Sequence, residues 1–278
     1  MENKRFEEML QAGVHFGHLK RKWNPAMAPY IFDEKKGIHV IDLNKTSAKI
    51  DEAGAALKQI AKSGKKILFV ATKKQAKEIV AEAASSVNMP YVTERWSGGM
   101  LTNFATVRKA IKKMSNIDKM ATDGTFDNIS KRERLQITRQ REKLEKTLGS
   151  IADLTRLPSA IFIVDINKEH IAVAEAKRLG IVTFAMVDTN SNPNEVDFAI
   201  PANDDASKSI ETITSYMVEF IKEGLSERKA DKDKADKAKE AEAKAKADAK
   251  AEKAEAKEAK EEKKEEVTSS EEKTEESK

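Results

Sequence analysis

Apolar runs alternate with segments of helical periodicity along most of the chain. Continuous apolar runs such as 66–71 are typical of strands that are buried on both faces of a parallel sheet. The predicted strands are GIHVIDL (37–43), KILFVA (66–71), YVTERW (91–96), AIFIVD (160–165) and IVTFAMVD (181–188). Because helical patterns separate these strands, the sequence predicts an α/β fold in which helices cover both faces of a mostly parallel sheet.

The predicted helices have one apolar face and recognisable ends. The first follows residue 43 with Asn44 or Thr46 as its N-cap, and Ile50 and Leu57 lie on its apolar face. Further helices are predicted at 73–88, 168–179 and 206–223. Gly224 is expected to end the last helix, because glycine commonly follows a helix C-terminus.

The region between Phe104 and Leu154 lacks a strand pattern and shows two narrow apolar stripes instead. The stripes are formed by Val107, Ile111, Met114, Ile117 and Ala121, and by Ile137, Leu144, Leu148 and Ile151. SKRE (130–133) has the pattern of a capping box that begins the second helix after the turn DGTFDN (123–128). Narrow stripes predict an antiparallel coiled-coil hairpin that projects from the α/β body, and two helices packed on the sheet are the alternative.

Charge and composition divide the chain at residue 227. Residues 227–278 contain 16 basic and 18 acidic residues, whereas the preceding part has a net charge of +6. A segment so poor in apolar residues does not offset its ordering entropy, so a disordered charged tail is predicted, with partner binding by the tail as the alternative. The predicted domains are an α/β body at 1–104 and 155–226, the hairpin at 105–154 and the tail at 227–278.

Several protein classes are disfavoured by residues and motifs that the sequence lacks. The absence of cysteine excludes disulfides and thiolate metal sites. No signal-peptide pattern and no membrane-spanning apolar run occur, so a soluble intracellular protein is expected. Neither a dinucleotide-binding glycine motif nor a P-loop is present.

The glycines of WSGGMLTN (96–103) follow a predicted strand. This is the edge of the sheet at which open α/β folds bind their ligands. Backbone amides in such a turn can bind a phosphate, more readily here from a nucleic-acid backbone than from a free nucleotide. A plain connection between strand and helix is the alternative.

Aspartates also cluster at the carboxyl ends of predicted strands. Asp188 ends one strand, and Asp204 and Asp205 follow the short apolar stretch FAIP (198–201). With His18, these carboxylates form a candidate site for a structural divalent metal. Capping of the following helices by these aspartates and Asp165 is the simpler alternative, and a catalytic acid/base pair is a third.

The segment HFGHLKRKWNP (15–25) is the main candidate for nucleic-acid binding. Lys20, Arg21 and Lys22 can neutralise phosphates, and Trp23 can stack on a base. The other residues predicted to contact RNA are His15, His18, Asn24, Lys73, Lys74, Arg95, Trp96 and Arg108. Cations and rings on loops favour irregular RNA over a DNA groove, because no helix-turn-helix or zinc-finger pattern is present.

Four longer stretches carry a more specific signal. They are LQAGVHFGHLKRKWNPAMAPYIF, RWSGGMLTNF, DGTFD and FAMVDTNSNPNEVDFAIPANDDA. Together they closely resemble the bacterial small-subunit ribosomal protein S-two family, from about Met9 to Gly224. The resemblance implies a flavodoxin-like three-layer α/β/α fold with an inserted coiled-coil hairpin, and the long tail departs from the family pattern.

The resemblance also implies a function. It leads us to expect a non-enzymatic constituent of the small ribosomal subunit, cytoplasmic and ribosome-bound. The expected partners are small-subunit rRNA and neighbouring small-subunit ribosomal proteins, including ribosomal protein S-one, which it would help to join the subunit. No membrane, small-molecule substrate or cofactor is expected beyond the candidate metal. A nucleotide- or metal-dependent enzyme and a protein-docking hairpin are the alternatives.

Overall fold

Strands and helices alternate through the part of the chain that the computed structural model describes, residues 2–124 and 130–234, with side chains from residue 4 onwards. The strands are β1 (Phe16–Leu19), β2 (Ile31–Lys35), β3 (Ile38–Ile41), β4 (Ile67–Val70), β5 (Tyr91–Val92), β6 (Ala160–Val164), β7 (Val182–Val187) and β8 (Phe198–Pro201). The helices are α1 (Glu2–Gln11), α2 (Leu43–Lys62), α3 (Lys77–Ser86), α4 (Phe104–Thr122), α5 (Lys131–Leu148), α6 (His170–Leu179) and α7 (207–234 in the described residues). Contacts divide the chain into a body that ends at Ser226 and a second unit that begins at Glu227.

A five-stranded parallel sheet forms the centre of the body. Its spatial order is β5-β4-β6-β7-β8, so the five strands, numbered along the chain, lie in the order 2-1-3-4-5. Successive side chains alternate between its faces: Ile67 and Phe69 belong to one core, and Leu68 and Val70 to the other. The predicted α/β fold with a mostly parallel sheet is confirmed.

Helices bury both faces of this sheet, as the continuous apolar strands require. On one face Leu57 of α2, Val80 of α3 and Met217 of α7 are buried. On the other face Val173 of α6 and Leu148 at the base of α5 are buried. Each such side chain contributes roughly 1.5–3 kcal/mol when it leaves water. The rim at the carboxyl ends of the strands carries the candidate site.

A separate three-stranded antiparallel sheet, in the order β1-β3-β2, contains the N-terminal strands. The strand predicted at 37–43 is β3, so its predicted place in the parallel alternation is wrong. The apolar pattern does not predict β1 or β2, because most of β2 is exposed and β1 has only four residues. The pattern also leaves β8 unassigned, whereas the strand predicted at 91–96 is only the two residues of β5.

Two helix starts differ from those predicted. The N-cap of α2 is Asp42, whose carboxylate accepts a hydrogen bond from the Asn44 amide at 3.0 Å. Thr46 is buried instead, and its hydroxyl donates to the carbonyl of Pro201 at 2.7 Å. Helix α3 begins at Lys77, four residues after the predicted start at 73, because 73–76 form a turn on the rim.

Gly224 does not end the last helix, which continues through it. A Cβ atom at this position would lie 2.4 Å from the carbonyl oxygen of Lys58 and 3.1 Å from Cβ of Ala61. Glycine therefore allows α7 to cross α2 at close range. The prediction of a helix end was wrong because glycine in a helix also serves close packing.

Replacing Gly224 with alanine should lower the free energy of unfolding by about 1–3 kcal/mol, because the new methyl group meets a backbone carbonyl. Without this contact alanine would stabilise the helix by roughly 1 kcal/mol. Denaturant unfolding of the full chain measures the change, with the exposed Lys222→Ala in the same helix as the control. A more stable Gly224→Ala protein would contradict the close crossing.

Helices α4 and α5 contact one another, and no strand interrupts them in the described residues. Met114 and Ile117 are buried in the predicted stripe, whereas Ala121 is exposed. Arg141 Nε donates to Asp118 Oδ1 at 2.6 Å and links the two helices. As predicted, Ser130 caps α5, although residues 125–128 of the predicted turn lie outside the described residues.

The second unit is described only at its start. Residues 227–234 are helical, and the rest of the predicted tail, 235–278, lies outside the described residues, so its disorder stays a prediction. Within the described ranges, no helix combines the length and apolar character needed to cross a bilayer.

Candidate functional site

Hydrogen bonds fasten the N-terminal segment to the rim of the parallel sheet. The amides of His18 and Asn24 donate to Oγ1 and to the carbonyl oxygen of Thr189, each at 2.8 Å. The side-chain amide of Asn203 donates to the carbonyl of Gly13 at 3.1 Å. The loop that follows β1 is therefore held on the rigid rim, and Thr189, which the sequence does not single out, is its main anchor.

The predicted cationic cluster lies on the surface of this loop. Lys20, Arg21 and Lys22 form a 3₁₀ turn, and all three are exposed. Lys20 Nζ lies 2.7 Å from Glu34 Oε2, an exposed pair that contributes little to stability. Trp23 is 38% exposed, with its ring centroid 5.3 Å from that of His39. This geometry is compatible with phosphate contacts and stacking, which stay predictions.

Two other residues of the segment have roles within the protein. Asn24 Oδ1 accepts a hydrogen bond from the Ala26 amide at 2.9 Å and caps the turn Pro25–Tyr30. His15 is half-buried, and its Nδ1 atom has no hydrogen-bond partner in the described structure. Burial and the nearby Lys35 lower the pKa of His15, so this ring adds no positive charge at neutral pH.

His18 belongs to a cluster of charged side chains on the rim. We call the set His18, Lys73, Asp165, Asp188, Asp204 and Asp205 the rim cluster. His18 Nδ1 lies 2.8 Å from Asp188 Oδ2 and His18 Nε2 lies 3.4 Å from Asp205 Oδ2. Lys73 Nζ lies 3.3 Å from Asp165 Oδ2, 2.8 Å from Asp204 Oδ1 and 2.7 Å from Asp205 Oδ1.

Protonation in the rim cluster follows from burial and from these contacts. Burial, with the charges of Asp188 and Asp165, raises the pKa of Asp204 to about 7, against the opposing effect of Lys73. Burial opposes the charge on Lys73, but hydrogen bonds to Asp204 and Asp205 raise its pKa above the ordinary value. The hydrogen bond to Asp188 raises the pKa of His18.

Lys73 is thus engaged with three carboxylates and is not a free cation. The structure distinguishes it from Lys74, which is exposed and has no carboxylate partner among the described residues. The predicted RNA contact of Lys73 therefore lacks geometric support, whereas that of Lys74 keeps it. Sequence alone does not distinguish these adjacent lysines.

Three side chains of the rim cluster have ligand atoms close enough for a metal ion. Atoms of His18, Asp188 and Asp204 all lie within 4.8 Å of one another, and Asp204 Oδ2 is buried with no hydrogen-bond partner in the described structure. A nitrogen and carboxylate oxygens suit a divalent cation. The ammonium of Lys73 already supplies positive charge there, so a metal ion stays a prediction.

Helix capping does not explain Asp204 and Asp205. It is Asn203 that accepts hydrogen bonds here, from the amides of Asp205 at 2.9 Å and Ala206 at 3.3 Å, in the turn before α7. Asp165 has a role closer to the predicted capping, because it accepts a hydrogen bond from the Lys168 amide at 3.2 Å in the turn before α6.

In the loops at the point where the strand order reverses, side chains of the protein bond to other groups of the protein. This position, between β4 and β6, is where open α/β sheets bind ligands. The hydroxyl and amide of Thr72 donate to the carboxylate of Glu169, and Lys168 Nζ donates to the carbonyl of Thr72. These contacts give no support to a nucleotide-dependent enzyme.

The glycine turn at 96–103 is organised around Glu175 of α6. This buried carboxylate accepts hydrogen bonds from the amides of Gly99 at 2.7 Å, Leu101 at 2.9 Å and Thr102 at 3.0 Å, and from Trp96 Nε1 at 3.2 Å. Burial alone would raise the pKa of Glu175, but these donors lower it, so the group is ionised at neutral pH. The three amides are therefore unavailable to a phosphate, contrary to the simplest form of the prediction.

The two predicted RNA contacts at the start of this turn differ in exposure. Trp96 is only 6% exposed, so its ring is part of the core and does not stack on a base. Arg95 is exposed. Glu175 itself had one signal in the sequence, because it is an acidic residue among the apolar positions of the predicted helix 168–179.

Arg108 lies near the start of α4. Its Nη1 atom donates to the carbonyl of Thr155 at 2.8 Å, and the side chain stays exposed. The structure thus gathers His18, Lys73 and the rim aspartates into one cluster, with the Lys20–Trp23 loop held on the same rim.

Comparison with known proteins gives a consistent match. A family model described as "Ribosomal protein S2" matches residues 9–224. "Small ribosomal subunit protein uS2" of Parabacteroides distasonis is 70% identical over 241 residues, which are 87% of each chain. The protein of the same name from Porphyromonas gingivalis strain ATCC 33277 is 71% identical over 227 residues, 82% of this chain and 81% of the relative. That of Azobacteroides pseudotrichonymphae is 72% identical over 226 residues, 81% and 86% of the two chains.

Proposed function

This chain belongs to the ribosomal protein S2 family, and from that premise we propose that it binds folded small-subunit rRNA through basic surfaces on α4, α5 and the Lys20–Trp23 loop. It is a non-enzymatic structural protein of the small ribosomal subunit, and it acts on the cytoplasmic ribosome. Its basic side chains hold RNA by neutralising phosphates, and no bond is made or broken.

The observation that carries this proposal is the distribution of charge. Helices α4 and α5 contain twelve basic and four acidic residues, a net charge of +8. The remainder of residues 1–226 contains 23 basic and 25 acidic residues. The net positive charge of residues 1–226 therefore comes entirely from these two helices. A polyanion such as RNA is the partner that this distribution favours.

Most of these cations are free to reach a partner. Lys109, Lys112 and Lys113 of α4 are exposed and have no acidic partner within the described residues. Arg141 differs, because it is paired with Asp118 and Glu145 and stabilises the helix pair. We propose that α4 and α5 form the coiled-coil hairpin of the family and act as its main RNA-binding arm. From the sequence, Arg108 is the one residue of this arm predicted to contact RNA, and protein docking is the alternative role for the arm as a whole.

Two finer parts of the proposal concern architecture and partners. The strand order 2-1-3-4-5 supports a flavodoxin-like arrangement of the body. The family resemblance further supports contacts with neighbouring small-subunit proteins and a role in helping ribosomal protein S-one to join the subunit.

Salt dependence tests the proposed RNA binding. For the full chain and small-subunit rRNA, the logarithm of affinity should fall linearly and steeply with the logarithm of salt concentration. Changing Lys109, Lys112 and Lys113 together to Gln should weaken binding about tenfold or more at moderate salt and reduce the slope by roughly two. Filter binding over a salt series measures both quantities.

The matched control removes the same charge elsewhere. Lys65, Lys177 and Arg178 are exposed near the amino ends of the strands, so their joint replacement by Gln should leave the slope unchanged. Equal losses in the two triple variants would point to non-specific attraction. A flat salt response of the unchanged protein would exclude phosphate neutralisation.

A further inference from the structure

Gly98 has no reason within the protein to be glycine. Its φ angle is not in the left-handed region, and a Cβ atom built on it meets nothing within 4 Å. The adjacent Gly99 differs, because its φ of +83° strains any other residue. Glycine at an unstrained position costs backbone entropy on folding. A residue that lowers stability with no internal compensation points to a partner outside the chain.

The surface around Gly98 presents hydrogen-bond donors. Ser97, Gly98 and Asn103 are exposed, and Arg95 is exposed beside them. Within the described parts of the chain, the amides of Ser97 and Gly98 make no hydrogen bond, whereas those of Gly99, Leu101 and Thr102 donate to Glu175. Asn103 Oδ1 accepts from the Thr106 hydroxyl at 2.8 Å, which leaves its NH₂ group as a donor. We call Arg95, Ser97, Gly98 and Asn103 the outer lip.

Hydrogen-bond donors beside a guanidinium group favour a partner that is anionic and rich in hydrogen-bond acceptors. Phosphate oxygens of a nucleic-acid backbone accept from backbone amides, Asn side chains and Arg. The outer lip contains no apolar side chain, so it does not fit the core of a protein interface. A side chain at position 98 would hold such a backbone away from the two amides.

We propose that the outer lip is a contact site for the phosphate backbone of rRNA, and that Glu175 is the residue that positions it. Inside the turn, the Glu175 carboxylate accepts hydrogen bonds from the amides of Gly99, Leu101 and Thr102, as a bound phosphate would. The outer amides of Ser97 and Gly98 are thereby kept in a fixed loop for a second, external anion. This inference deepens the proposed function and rests on it.

Gly98→Leu in the full chain is the direct test. Because the new side chain meets no protein atom near its Cβ and removes backbone freedom from the unfolded chain, the thermal midpoint should not fall and should rise slightly. Affinity for small-subunit rRNA should fall about tenfold, as expected when a charge-assisted contact is blocked. Ser85→Leu adds the same side chain at an exposed position of α3 and should change neither quantity.

A double-mutant cycle tests the positioning role of Glu175. Arg95→Gln should reduce the salt slope by about one, and this reduction should largely vanish in the Glu175→Gln background, where the lip is no longer fixed. In a Glu175→Asp background, which keeps the carboxylate, Arg95→Gln should again reduce the salt slope in part. If Glu175→Gln does not fold, Gly98→Leu still decides the proposal.

The failures of the two proposals are distinguishable. Salt-dependent binding by the unchanged protein together with wild-type affinity of Gly98→Leu would overturn the lip and leave the proposed function standing. A lowered thermal midpoint of Gly98→Leu would give the glycine a structural reason and overturn the lip as well. Absence of salt-dependent binding by the unchanged protein would remove both.

Discussion

Replacing Glu175 with alanine should lower the free energy of unfolding by about 3–5 kcal/mol at neutral pH. The change leaves five buried or half-buried donors, on Trp96, Gly99, Leu101 and Thr102 (amide and hydroxyl), without their shared acceptor. Each unsatisfied buried donor costs roughly 1–3 kcal/mol, and relaxation of the turn toward solvent recovers part of the sum. Denaturant unfolding followed by circular dichroism measures the loss.

Two comparisons make the Glu175 result specific. Glu82→Ala removes an exposed glutamate from α3 and should change stability by less than about 0.5 kcal/mol. The second comparison uses pH, because the folded state lowers the pKa of Glu175. The stabilisation is then fully present above the unfolded pKa of about 4.3 and is lost as pH falls through the folded value. The difference between wild type and Glu175→Gln should therefore shrink below about pH 4; a constant difference would contradict the assignment.

Replacing Lys73 with methionine should destabilise the body by roughly 3–5 kcal/mol at neutral pH. The ammonium is the common partner of Asp165, Asp204 and Asp205, and Asp204 is fully buried. Removing one partner of a buried ion pair costs this much because the remaining charges are uncompensated. Unfolding is best measured with a chelator present, so that no divalent cation replaces the ammonium.

A second substitution tests whether uncompensated charge is the cause. Adding Asp204→Asn to Lys73→Met should recover part of the loss, whereas Lys74→Met, at the exposed neighbour, should have almost no effect. If the losses in unfolding free energy from the two substitutions simply add, uncompensated charge is not the cause. Recovery of the Lys73→Met protein by an added divalent cation would support the predicted metal site.

The rim cluster also gives stability a defined pH dependence. The folded state raises the pKa of Asp204 to about 7, so its contribution is present below the unfolded value near 4 and is lost as pH rises through about 7. The raised pKa of His18 acts in the same direction. Stability from Asp204 should therefore fall between about pH 4 and pH 7, and in Lys73→Met the fall should extend to higher pH because Lys73 no longer opposes the rise in pKa.

Several strands were predictable because a single physical cause determines them. A strand buried on both faces is largely apolar: β4 and β6 are uninterrupted apolar runs, and β7 is interrupted only by Thr183, whose hydroxyl donates to Asp197. The long helices α4 and α5 were predictable for a similar reason, since each must bury a stripe at helical spacing. Strands β1 and β2 were not, because their exposed residues carry no periodic signal.

The candidate site was predictable in composition but not in pairing. Sequence placed Asp188, Asp204 and Asp205 at strand ends and singled out His18, and these residues do meet on the rim. It gave no indication that Lys73 would join them, since the lysine is 131 residues from Asp204. Nor did it indicate that Lys74 would stay outside the cluster.

The sequence by itself determined the layered α/β body, the long helices α4 and α5 and the concentration of positive charge on them, because burial and charge depend on residues near one another along the chain. Only the tertiary structure decided which charged and polar groups neutralise each other. Glu175 reaches Thr102 from 73 residues away, and Lys73 reaches the rim aspartates across the sheet. Such pairings depend on distances of about 3 Å between distant segments, and no local pattern in the sequence specifies those distances.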